Sequence, residues 1–575
     1  MDTAQSGGTV VSKPIRLWPG IALAALQLFL TYLLPLLSTE ALIVSALGGV
    51  GCAVAVLLWW AFFSRIPHAE RWGGLLLAAL GLFAAWRLIH VSIATGAMGM
   101  LFPILAVPLM SLTLVAWAAL FGRRSRGPRR AALAGAILLA SGTWLLLKTG
   151  GFTGELDHDF MWRWTATPEE RLVARGLDEP GGPAEKAAVL QEAEWPGFRG
   201  SLRDGVVRGV RIRTDWSVSP PVELWRRPIG PGWSSFAVAG GLAYTQEQRG
   251  EEEIVSCYNL MTGEPVWRHR DAARFWESNA GAGPRATPTL AGGRVYTLGA
   301  TGIVNALDAA DGTVIWSRNA AADTGQKLPG WGFSASPVVI GSVVVVATAG
   351  VPAAYDAATG EPRWIGPKDR SGYSSPHLAT IAGVPQIVMM SGAGATGFSP
   401  ADGAVLWEHG LPQGARIVQP AVTPGGDLLI AEGDRQAMHR LAVSGGDGGW
   451  AVRERWTSIG LKPYFNDFVI HKDHAYGFDG SILSCIDLEA GERKWKGGRY
   501  GNGQLVLLAD QDLLVVLSEQ GELVLVNAAP DQHAELARFP AITGKTWNHP
   551  VVVKDILLAR NGEEMAAFRL PLEGS

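Results

Sequence analysis

Eight polar residues occupy one position of a repeated pattern, directly before a short apolar segment such as "PVVIGS" or "PVVVKD". In chain order they are Ser235, Thr287, Ser336, Ser375, Gln419, Asp467, Gln504 and His549. The first four carry small hydroxyls, which at the start of a strand commonly satisfy nearby backbone groups. The last four carry amide, carboxylate and imidazole groups, so larger hydrogen-bonding and ionisable side chains are concentrated in one half of the set.

Aromatic, cationic and amide side chains stand just upstream of these positions. They are Trp233, Arg285, Trp331, Tyr373, Lys462, Tyr464, Asn466, Asn502, Lys545, Trp547 and Asn548. A site with aromatic faces, cations and amides on one side suits a planar anionic ligand. The same composition would also line a polar, water-filled funnel. The residues leave both interpretations open.

A second pattern indicates which elements bring these residues together. A short polar residue is followed by Gly four positions later and by Trp four positions after that. The copies are Asn259/Gly263/Trp267, Asp308/Gly312/Trp316, Asp356/Gly360/Trp364, Ser399/Gly403/Trp407 and Asp487/Gly491/Trp495. Asp or Asn followed by Gly is typical of a tight turn, so each copy predicts a hairpin. Its Trp begins the outer strand, where a large flat side chain can fill the gap between units.

Looser copies extend the series to eight repeats. The marks Trp225, Trp267, Trp316, Trp364, Trp407, Trp456, Trp495 and Phe539 are 39 to 49 residues apart. This period, filled by short alternating strands, is typical of a β-propeller with one four-stranded blade per repeat. Eight marks predict eight blades over residues 195–575. The segment "VELWRRPI" around Trp225 would supply the last outer strand, so that the ring closes without an exposed sheet edge.

The first 149 residues predict a different domain. Five apolar runs, 18–37, 41–63, 72–93, 98–121 and 131–148, are long enough to cross a hydrocarbon core of roughly 30 Å as helices. The fold class is therefore an all-β eight-bladed propeller preceded by an α-helical five-span transmembrane domain. Residues 150–194 form a polar connector with short helices, one of them with Thr167 as its N-cap and Pro168 at its first position.

Basic residues between the spans predict their direction, because short loops rich in Lys and Arg stay in the cytoplasm. The basic loops hold Lys13, Arg16, Arg65, Arg71 and the cluster 123–130, whereas the alternate loops "STE" and "TGA" hold none. The N-terminus is then inside and everything after residue 150 outside. In a bacterium this is a multi-pass inner-membrane protein with its propeller in the periplasm.

Other features restrict the function classes. A net charge of −3 and the lack of a basic stripe exclude nucleic acid as a partner. Three cysteines do not make a disulfide framework, and Cys257 and Cys485 occupy the same strand position in different repeats, which indicates core packing. Arg87 and His90 interrupt the third span near its outer end. We interpret them as a pair reaching the interface, with a role beside a membrane quinone as the alternative.

The repeat resembles a known family. "SASPVV…AAYDAATGEPRW" is similar to the repeat of pyrroloquinoline quinone (PQQ) type propellers, and "EWPGFRGSLRDGV" resembles the leading segment of bacterial proteins in that superfamily. The resemblance covers about residues 195–575 and implies the fold more specifically than the function. The superfamily includes quinoprotein dehydrogenases as well as the non-enzymatic scaffold lipoprotein of outer-membrane barrel assembly. A multi-span anchor before the propeller resembles membrane-bound quinoprotein glucose dehydrogenases, which have much longer insertions.

The resemblance implies roles for the candidate site residues. In a PQQ-dependent oxidoreductase, Arg285 and Lys545 would bind the carboxylates of PQQ, and Trp331 or Trp547 would form the floor beneath its ring. Gln419, Gln504 and His549 would complete the cofactor site, and Asn466 and Asn548 would offer oxygens to Ca²⁺. Asp467, the one acid among the eight aligned positions, would be the catalytic base. Electrons would pass from an alcohol or sugar to membrane quinone without haem, since the chain has no C-x-x-C-H motif.

The alternative function is a non-catalytic one. Dehydrogenases of the superfamily place an acidic Ca²⁺ ligand beside the catalytic Asp, whereas the aligned positions here hold one acid, with Glu277 in a nearby loop. One carboxylate serves poorly as both metal ligand and base, because a bound metal lowers its basicity. Minimal blades and an incomplete metal site are typical of an envelope scaffold, or of a propeller that binds a ligand or an envelope protein.

Overall fold

A computed structural model describes residues 15–37, 42–154, 158–176, 192–368, 370–446 and 449–574. The chain forms two compact units. The first comprises Met1–Thr165 with Ser278–Ala280, and the second comprises Ala166–Glu277 with Gly281–Ser575.

The first unit is helical because its sequence consists of long apolar runs. Its α-helices are Trp18–Leu28, Leu34–Leu37, Leu42–Leu58, His68–Leu88, Val91–Ala94, Leu101–Phe121 and Arg126–Gly142. The π-helical turns Phe29–Leu33 and Trp59–Phe63 and the 3₁₀ turns Gly96–Gly99 and Thr143–Leu146 continue or connect them. Val44–Phe63 and Leu101–Phe121 are long and apolar enough to cross a membrane, judged by length and composition.

Two helical stretches end earlier than the apolar runs indicate. Helix His68–Leu88 stops because Ile89 is extended, with ψ of 158°. The side chain of His90 then caps Val91–Ala94, its Nδ1 accepting a hydrogen bond from the N–H of Ser92 at 3.2 Å. The last helix begins at Arg126 and its 3₁₀ continuation ends at Leu146. Strand Leu147–Phe152 follows and pairs antiparallel with His158–Trp162.

The second unit begins with the short helix Pro168–Arg175. The predicted cap at Thr167 is confirmed: Oγ1 of Thr167 accepts a hydrogen bond from the N–H of Glu170 (3.1 Å). The carboxylate of Glu170 accepts one in return from the N–H of Thr167 (2.6 Å), which forms a capping box.

Eight antiparallel sheets confirm the eight-bladed propeller, and we number the blades in chain order. Blade 1 is Ala237–Ala239, Leu242–Arg249, Glu252–Asn259 and Pro265–Asp271; blade 2 is Thr289–Ala291, Arg294–Leu298, Ile303–Asp308 and Val314–Asn319. Blade 3 is Val338–Ile340, Val343–Thr348, Val351–Asp356 and Pro362–Ile365; blade 4 is His377–Ile381, Val384–Ser391, Gly394–Phe398 and Val405–Gly410. Blade 5 is Ala421–Val422, Leu428–Ala431, Met438–Gly446 and Gly449–Ser458; blade 6 is Val469–His471, His474–Asp479, Ile482–Asp487 and Arg493–Arg499.

The last two blades recruit strands from the start of the unit. Blade 7 is Gln504–Leu508, Leu513–Leu517, Glu522–Asn527 and Glu535–Pro540, with Val206–Val207 added in parallel to its innermost strand. Blade 8 is Val551–Val553, Ile556–Arg560 and Glu564–Arg569, completed by Val222–Pro228. In this last pair Trp225 lies opposite Ala567. Short additional elements are Trp276–Glu277, Gly281–Ala282, Ala320–Thr324 and Ala509–Gln511.

The repeated Trp and Gly pack against each other across neighbouring blades. Nε1 of Trp316 in blade 2 donates a hydrogen bond to the carbonyl of Ala357 in blade 3 (3.1 Å). Gly360, at the turn of blade 3, has φ of +75°, and a Cβ there would lie 2.6 Å from the ring of Trp316. The same close approach joins Gly312 to Trp267. Glycine is therefore required for two reasons: the backbone has a positive φ, and the tryptophan ring leaves no room for a Cβ.

Candidate functional site

We call the eight aligned positions, Ser235 to His549, the ring. Its hydroxyl residues connect neighbouring blades. The N–H of Ser235 donates to Oγ1 of Thr287 (3.0 Å), and the N–H of Thr287 donates to Oγ of Ser336 (3.0 Å). The N–H of Ser336 donates in turn to Oγ of Ser375 (2.9 Å). Each of these side chains thus accepts a hydrogen bond from the backbone of the blade before it.

The larger half of the ring repeats this arrangement. The N–H of Gln419 donates to Oδ1 of Asp467 (3.3 Å), and the N–H of Asp467 donates to Oε1 of Gln504 (3.3 Å). Oγ of Ser235 donates to the carbonyl of His549 (2.6 Å), which joins blade 1 to blade 8. The ring positions therefore lie together, and their polar groups hold blades to one another.

Asp467 is buried and has charged partners. Its Oδ2 lies 3.1 Å from Nε2 of His549, and its Oδ1 lies 3.4 Å from Nη1 of Arg199. The side chains of Arg199 and Asp467 are 2% and 6% exposed. Burial opposes ionisation of Asp467, but the charge of Arg199 and the hydrogen bonds from His549 and Gln419 outweigh it and lower its pKa. A carboxylate held ionised in this way is a weak proton acceptor.

Arg199 and Arg203 were not among the residues that the sequence pattern identified. They belong to the leading segment, residues 195–207. Nε of Arg203 donates to Oε1 of Gln419 (3.1 Å), and its other nitrogens donate to the carbonyls of Ser336 and Pro337. Burial and the nearby charge of Arg199 lower the pKa of Arg203 to about 9. The one signal in the sequence is two arginines four residues apart in an otherwise glycine-rich segment.

The leading segment contacts several blades. Trp195 exchanges backbone hydrogen bonds with Val238 of blade 1 (3.1 and 2.7 Å), and Val206–Val207 pairs with blade 7. Between them, the ring of Phe198 packs edge-on against His549, with centroids 5.0 Å apart. The guanidinium of Arg203 lies 5.6 Å from the Phe198 ring. The side chains of Phe198, Arg199 and Arg203 therefore contact His549, Asp467 and Gln419 of the ring.

Half-buried aromatic residues line the opening of the propeller above the ring, which we call the mouth. Trp233 and Trp547 have centroids 4.8 Å apart, and Phe465 lies 4.9 Å from Trp547. Nζ of Lys545 lies 4.6 Å from the Trp547 ring and 5.4 Å from the Trp233 ring. Nε1 of Trp547 donates to Glu519 (2.8 Å), which fixes the indole in place. Of the predicted cofactor residues, Lys545 and Trp547 thus lie together.

Trp331 lies at the opposite side of this mouth. Its ring is 5.1 Å from Tyr373 and 6.3 Å from Tyr464, centroid to centroid. Tyr464 in turn contacts Phe465 at 5.3 Å. Trp331 precedes blade 3 and Tyr464 precedes blade 6, so their contact means that these loops converge on the propeller axis. A continuous series of aromatic contacts therefore runs across the mouth.

Arg285 is oriented toward its own loop. Its Nη2 lies 3.3 Å from Oε1 of Glu277, and its guanidinium lies 5.0 Å from the ring of Phe275. Burial lowers the pKa of Arg285 to about 10, against the opposite effect of Glu277 and Glu253. Arg285 therefore contacts Glu277 and Phe275, whereas Lys545, with which the resemblance grouped it, contacts Trp233 and Trp547.

The predicted metal ligands offer few oxygens. Oδ1 of Asn466 accepts a hydrogen bond from the N–H of Tyr464 (3.1 Å). Nδ2 of Asn548 donates to the carbonyls of Gly232 and Ser234, while its Oδ1 is buried and has no hydrogen-bond partner among the residues that the structure describes. Ca²⁺ takes six to eight oxygens, carboxylates among them. Within the described ranges no three His, Cys, Asp or Glu side chains cluster as metal ligands, so this donor set does not suit Ca²⁺.

Comparisons with known proteins agree with the repeat. A protein-family model, PQQ_2, described as "Outer membrane protein assembly factor BamB", matches residues 251–497. The outer membrane protein assembly factor BamB of Yersinia pestis is 22% identical over 345 residues, which cover 55% of this chain and 72% of that protein. These matches support PQQ-like repeats in the propeller.

Solved structures show the same fold. The quinohemoprotein alcohol dehydrogenase of Comamonas testosteroni is 14% identical, with a TM-score of 0.50 over 68% of this chain and 85% of that one. The quinohemoprotein alcohol dehydrogenase ADHIIG of Pseudomonas putida HK5 has the same identity and score over 69% and 84%. At this identity the likeness concerns the fold, and it is compatible with both an enzyme and a scaffold.

Proposed function

We propose that this chain is a membrane-anchored propeller of the bacterial envelope that binds a protein partner and performs no redox chemistry. The observation that carries the proposal is the environment of Asp467. Both of its oxygens are engaged, by Arg199 and Gln419 on one side and His549 on the other, and its pKa is lowered. A base for alcohol oxidation needs the opposite, a pKa near the operating pH and a free oxygen toward the substrate.

The mouth supports a binding function. Aromatic residues are enriched in the central parts of protein interfaces, where they serve as anchors. Here half-buried Trp233 and Trp547 lie beside Lys545, and half-buried Trp331 lies at the other side of the mouth with Tyr373 and Tyr464. The matched assembly factor suggests the kind of partner, an envelope protein involved in outer-membrane assembly.

The helical unit would anchor the propeller. The helical stretches beginning at Trp18, Leu42, His68, Leu101 and Arg126 coincide with the apolar runs and would serve as five spans of the inner membrane. The distribution of basic loops favours an N-terminus in the cytoplasm and a propeller in the periplasm.

A second candidate is the PQQ-dependent oxidoreductase that transfers electrons from an alcohol or sugar to membrane quinone. Lys545 above the paired rings of Trp233 and Trp547 favours it, since this arrangement suits a planar anion. PQQ would supply the redox chemistry. The chain would supply the cation and the aromatic face, and Asn548 Oδ1 would be a further acceptor.

One experiment separates the two functions. PQQ is titrated into the full-length protein with Ca²⁺ and binding is measured by calorimetry, followed by dye reduction with a panel of alcohols and sugars. A binding protein shows neither stoichiometric PQQ uptake nor dye reduction. In parallel, a photo-crosslinking amino acid at position 545 should capture an envelope protein in cells. Stoichiometric PQQ binding with substrate-dependent dye reduction would overturn our proposal and establish the second candidate.

A further inference from the structure

The hairpin that follows the last helix of the first unit carries two exposed tryptophans. The rings of Trp162 and Trp164 are stacked in parallel, with centroids 5.3 Å apart and planes 5° from each other. Trp162 is 51% and Trp164 69% exposed. Such exposed area on two large rings is costly in water, which indicates that another medium or molecule covers it.

Backbone contacts place this pair at the end of two helices. Trp162 lies opposite Leu147, the first residue after the 3₁₀ turn that ends at Leu146. The N–H of Arg163 donates to the carbonyl of Leu146 (2.8 Å), and its guanidinium donates to the carbonyl of Leu88 (3.3 Å). The tryptophans therefore lie level with the ends of the helices that contain Leu88 and Leu146.

The opposite end of helix His68–Leu88 carries a second set of aromatic residues and basic charge. The guanidinium of Arg71 lies 5.8 Å from the ring of Trp72, which is exposed. Glu70 pairs with Arg129 (2.8 Å) and Arg130 (3.3 Å) at this end. The helix has 21 residues, about 30 Å at 1.5 Å per residue. That length equals the thickness of a hydrocarbon core, roughly 30 Å.

We infer that Trp162 and Trp164 form an aromatic anchor that lies among the lipid headgroups of the outer leaflet. Tryptophan concentrates at both membrane interfaces because its ring is apolar and its N–H is polar. The inference rests on the proposed membrane anchor and adds a residue-level feature to it: the hairpin, which follows the last helix, sets the depth of the unit. The occupant of the surface is lipid rather than a protein or a soluble ligand.

Depth-dependent quenching tests the inference in the full-length protein reconstituted into vesicles of phosphatidylethanolamine and phosphatidylglycerol. Trp164→Cys is labelled with an environment-sensitive fluorophore, and Trp162→Cys, with Trp164 retained, is a second probe in case the first does not fold. Cys52, Cys257 and Cys485 are all buried, so the parent chain gives the labelling baseline. Lipids carry a nitroxide either near the headgroup or near the end of the acyl chain.

Two control positions make the outcomes distinguishable. Leu80→Cys lies near the middle of helix His68–Leu88 and reports on the proposed span. Asp159→Cys is exposed on the same hairpin, three residues from Trp162 toward its turn.

We expect the shallow nitroxide to reduce emission at position 164 most, the deep nitroxide to reduce emission at position 80 most, and position 159 to lose less emission than position 164. Loss at position 80 without loss at position 164 would overturn the aromatic anchor while leaving the membrane span intact. Stronger quenching of position 164 by the deep nitroxide would also overturn it, since the ring would then lie in hydrocarbon. An unquenched position 80 would overturn the proposed span and the inference together.

Discussion

Replacing Asp467 by Asn is the sharpest test of its role in the ring. The substitution removes the carboxylate that faces Arg199 at 3.4 Å and leaves that guanidinium, 2% exposed, without its counter-charge. Arg203 is buried nearby and adds a second positive charge. Breaking a buried ion pair by removing one partner costs about 3–5 kcal/mol, because the remaining charge is left uncompensated. We expect the free energy of unfolding of the propeller to fall by this amount at pH 7.

The pH dependence gives a second signature of the same group. The folded state lowers the pKa of Asp467 below its ordinary value of about 3.9. A lowered pKa means that the carboxylate stabilises the fold fully above that ordinary value and loses this contribution as the pH falls through the folded-state pKa. The difference between the parent protein and Asp467→Asn should therefore be constant from about pH 5 to 7 and shrink below about pH 4.

The assay is urea unfolding of the full chain in detergent, followed by intrinsic tryptophan fluorescence. Glu251→Gln is a matched control, because its side chain is 88% exposed and its replacement should change stability by less than about 0.5 kcal/mol. The reasoning is refuted if Asp467→Asn is as stable as the parent chain. Loss of PQQ-dependent dye reduction at unchanged stability would instead make Asp467 a catalytic residue.

Three further predictions concern a glycine between blades, the strand that closes the propeller and a buried carboxyl group. Gly360→Ala should lower the free energy of unfolding by about 1–3 kcal/mol more than Gly341→Ala, as measured by urea unfolding. A Cβ at position 360 would meet the ring of Trp316, whereas a Cβ at position 341, which also has a positive φ, has nothing within 4 Å. Trp225→Ala should cost about 3–5 kcal/mol and expose the closing strand to limited proteolysis; resistance like that of the parent would contradict its packing role. Burial raises the pKa of Glu253 to about 8, so the folded protein keeps a proton that the unfolded chain loses. Stability should therefore fall between about pH 4.5 and 8 by up to roughly 1.4 kcal/mol per unit, and Glu253→Gln should flatten that slope in urea titrations at several pH values.

The propeller was predictable because its signal is local and periodic. The spacing of Asp356, Gly360 and Trp364 predicts one hairpin, and eight repeats of the period predict the eight blades that the structure has. The capping box at Thr167 is likewise contained within four residues. The break after Leu88 was missed because Ile89 is apolar, and hydropathy does not distinguish an extended residue from a helical one.

The site was predictable only in part, for the same reason. A common position in each repeat brings Gln419, Asp467 and His549 together, since equivalent positions of successive blades surround one axis. Their most important partner, Arg199, lies 268 residues before Asp467 in the chain. Arg199 lies outside the repeats, so the periodic pattern does not place it beside Asp467, and the sequence indicated a free acid where the structure has an ion pair.

The leading segment depends on residues that are synthesised much later than the segment itself. Residues 195–207 are synthesised before any blade of the propeller, yet the partners of Arg199, which are Asp467 and the carbonyl of Phe468, are synthesised more than 260 residues later. Val222–Pro228 likewise waits for Glu564–Arg569, its partner strand in blade 8. Such non-local pairing makes folding slow and leaves the early edge unprotected until the later strand has been synthesised. A nascent chain that stops before residue 564 would already hold the partners of Arg199, but it would leave Val222–Pro228 as an open sheet edge, which is a template for aggregation.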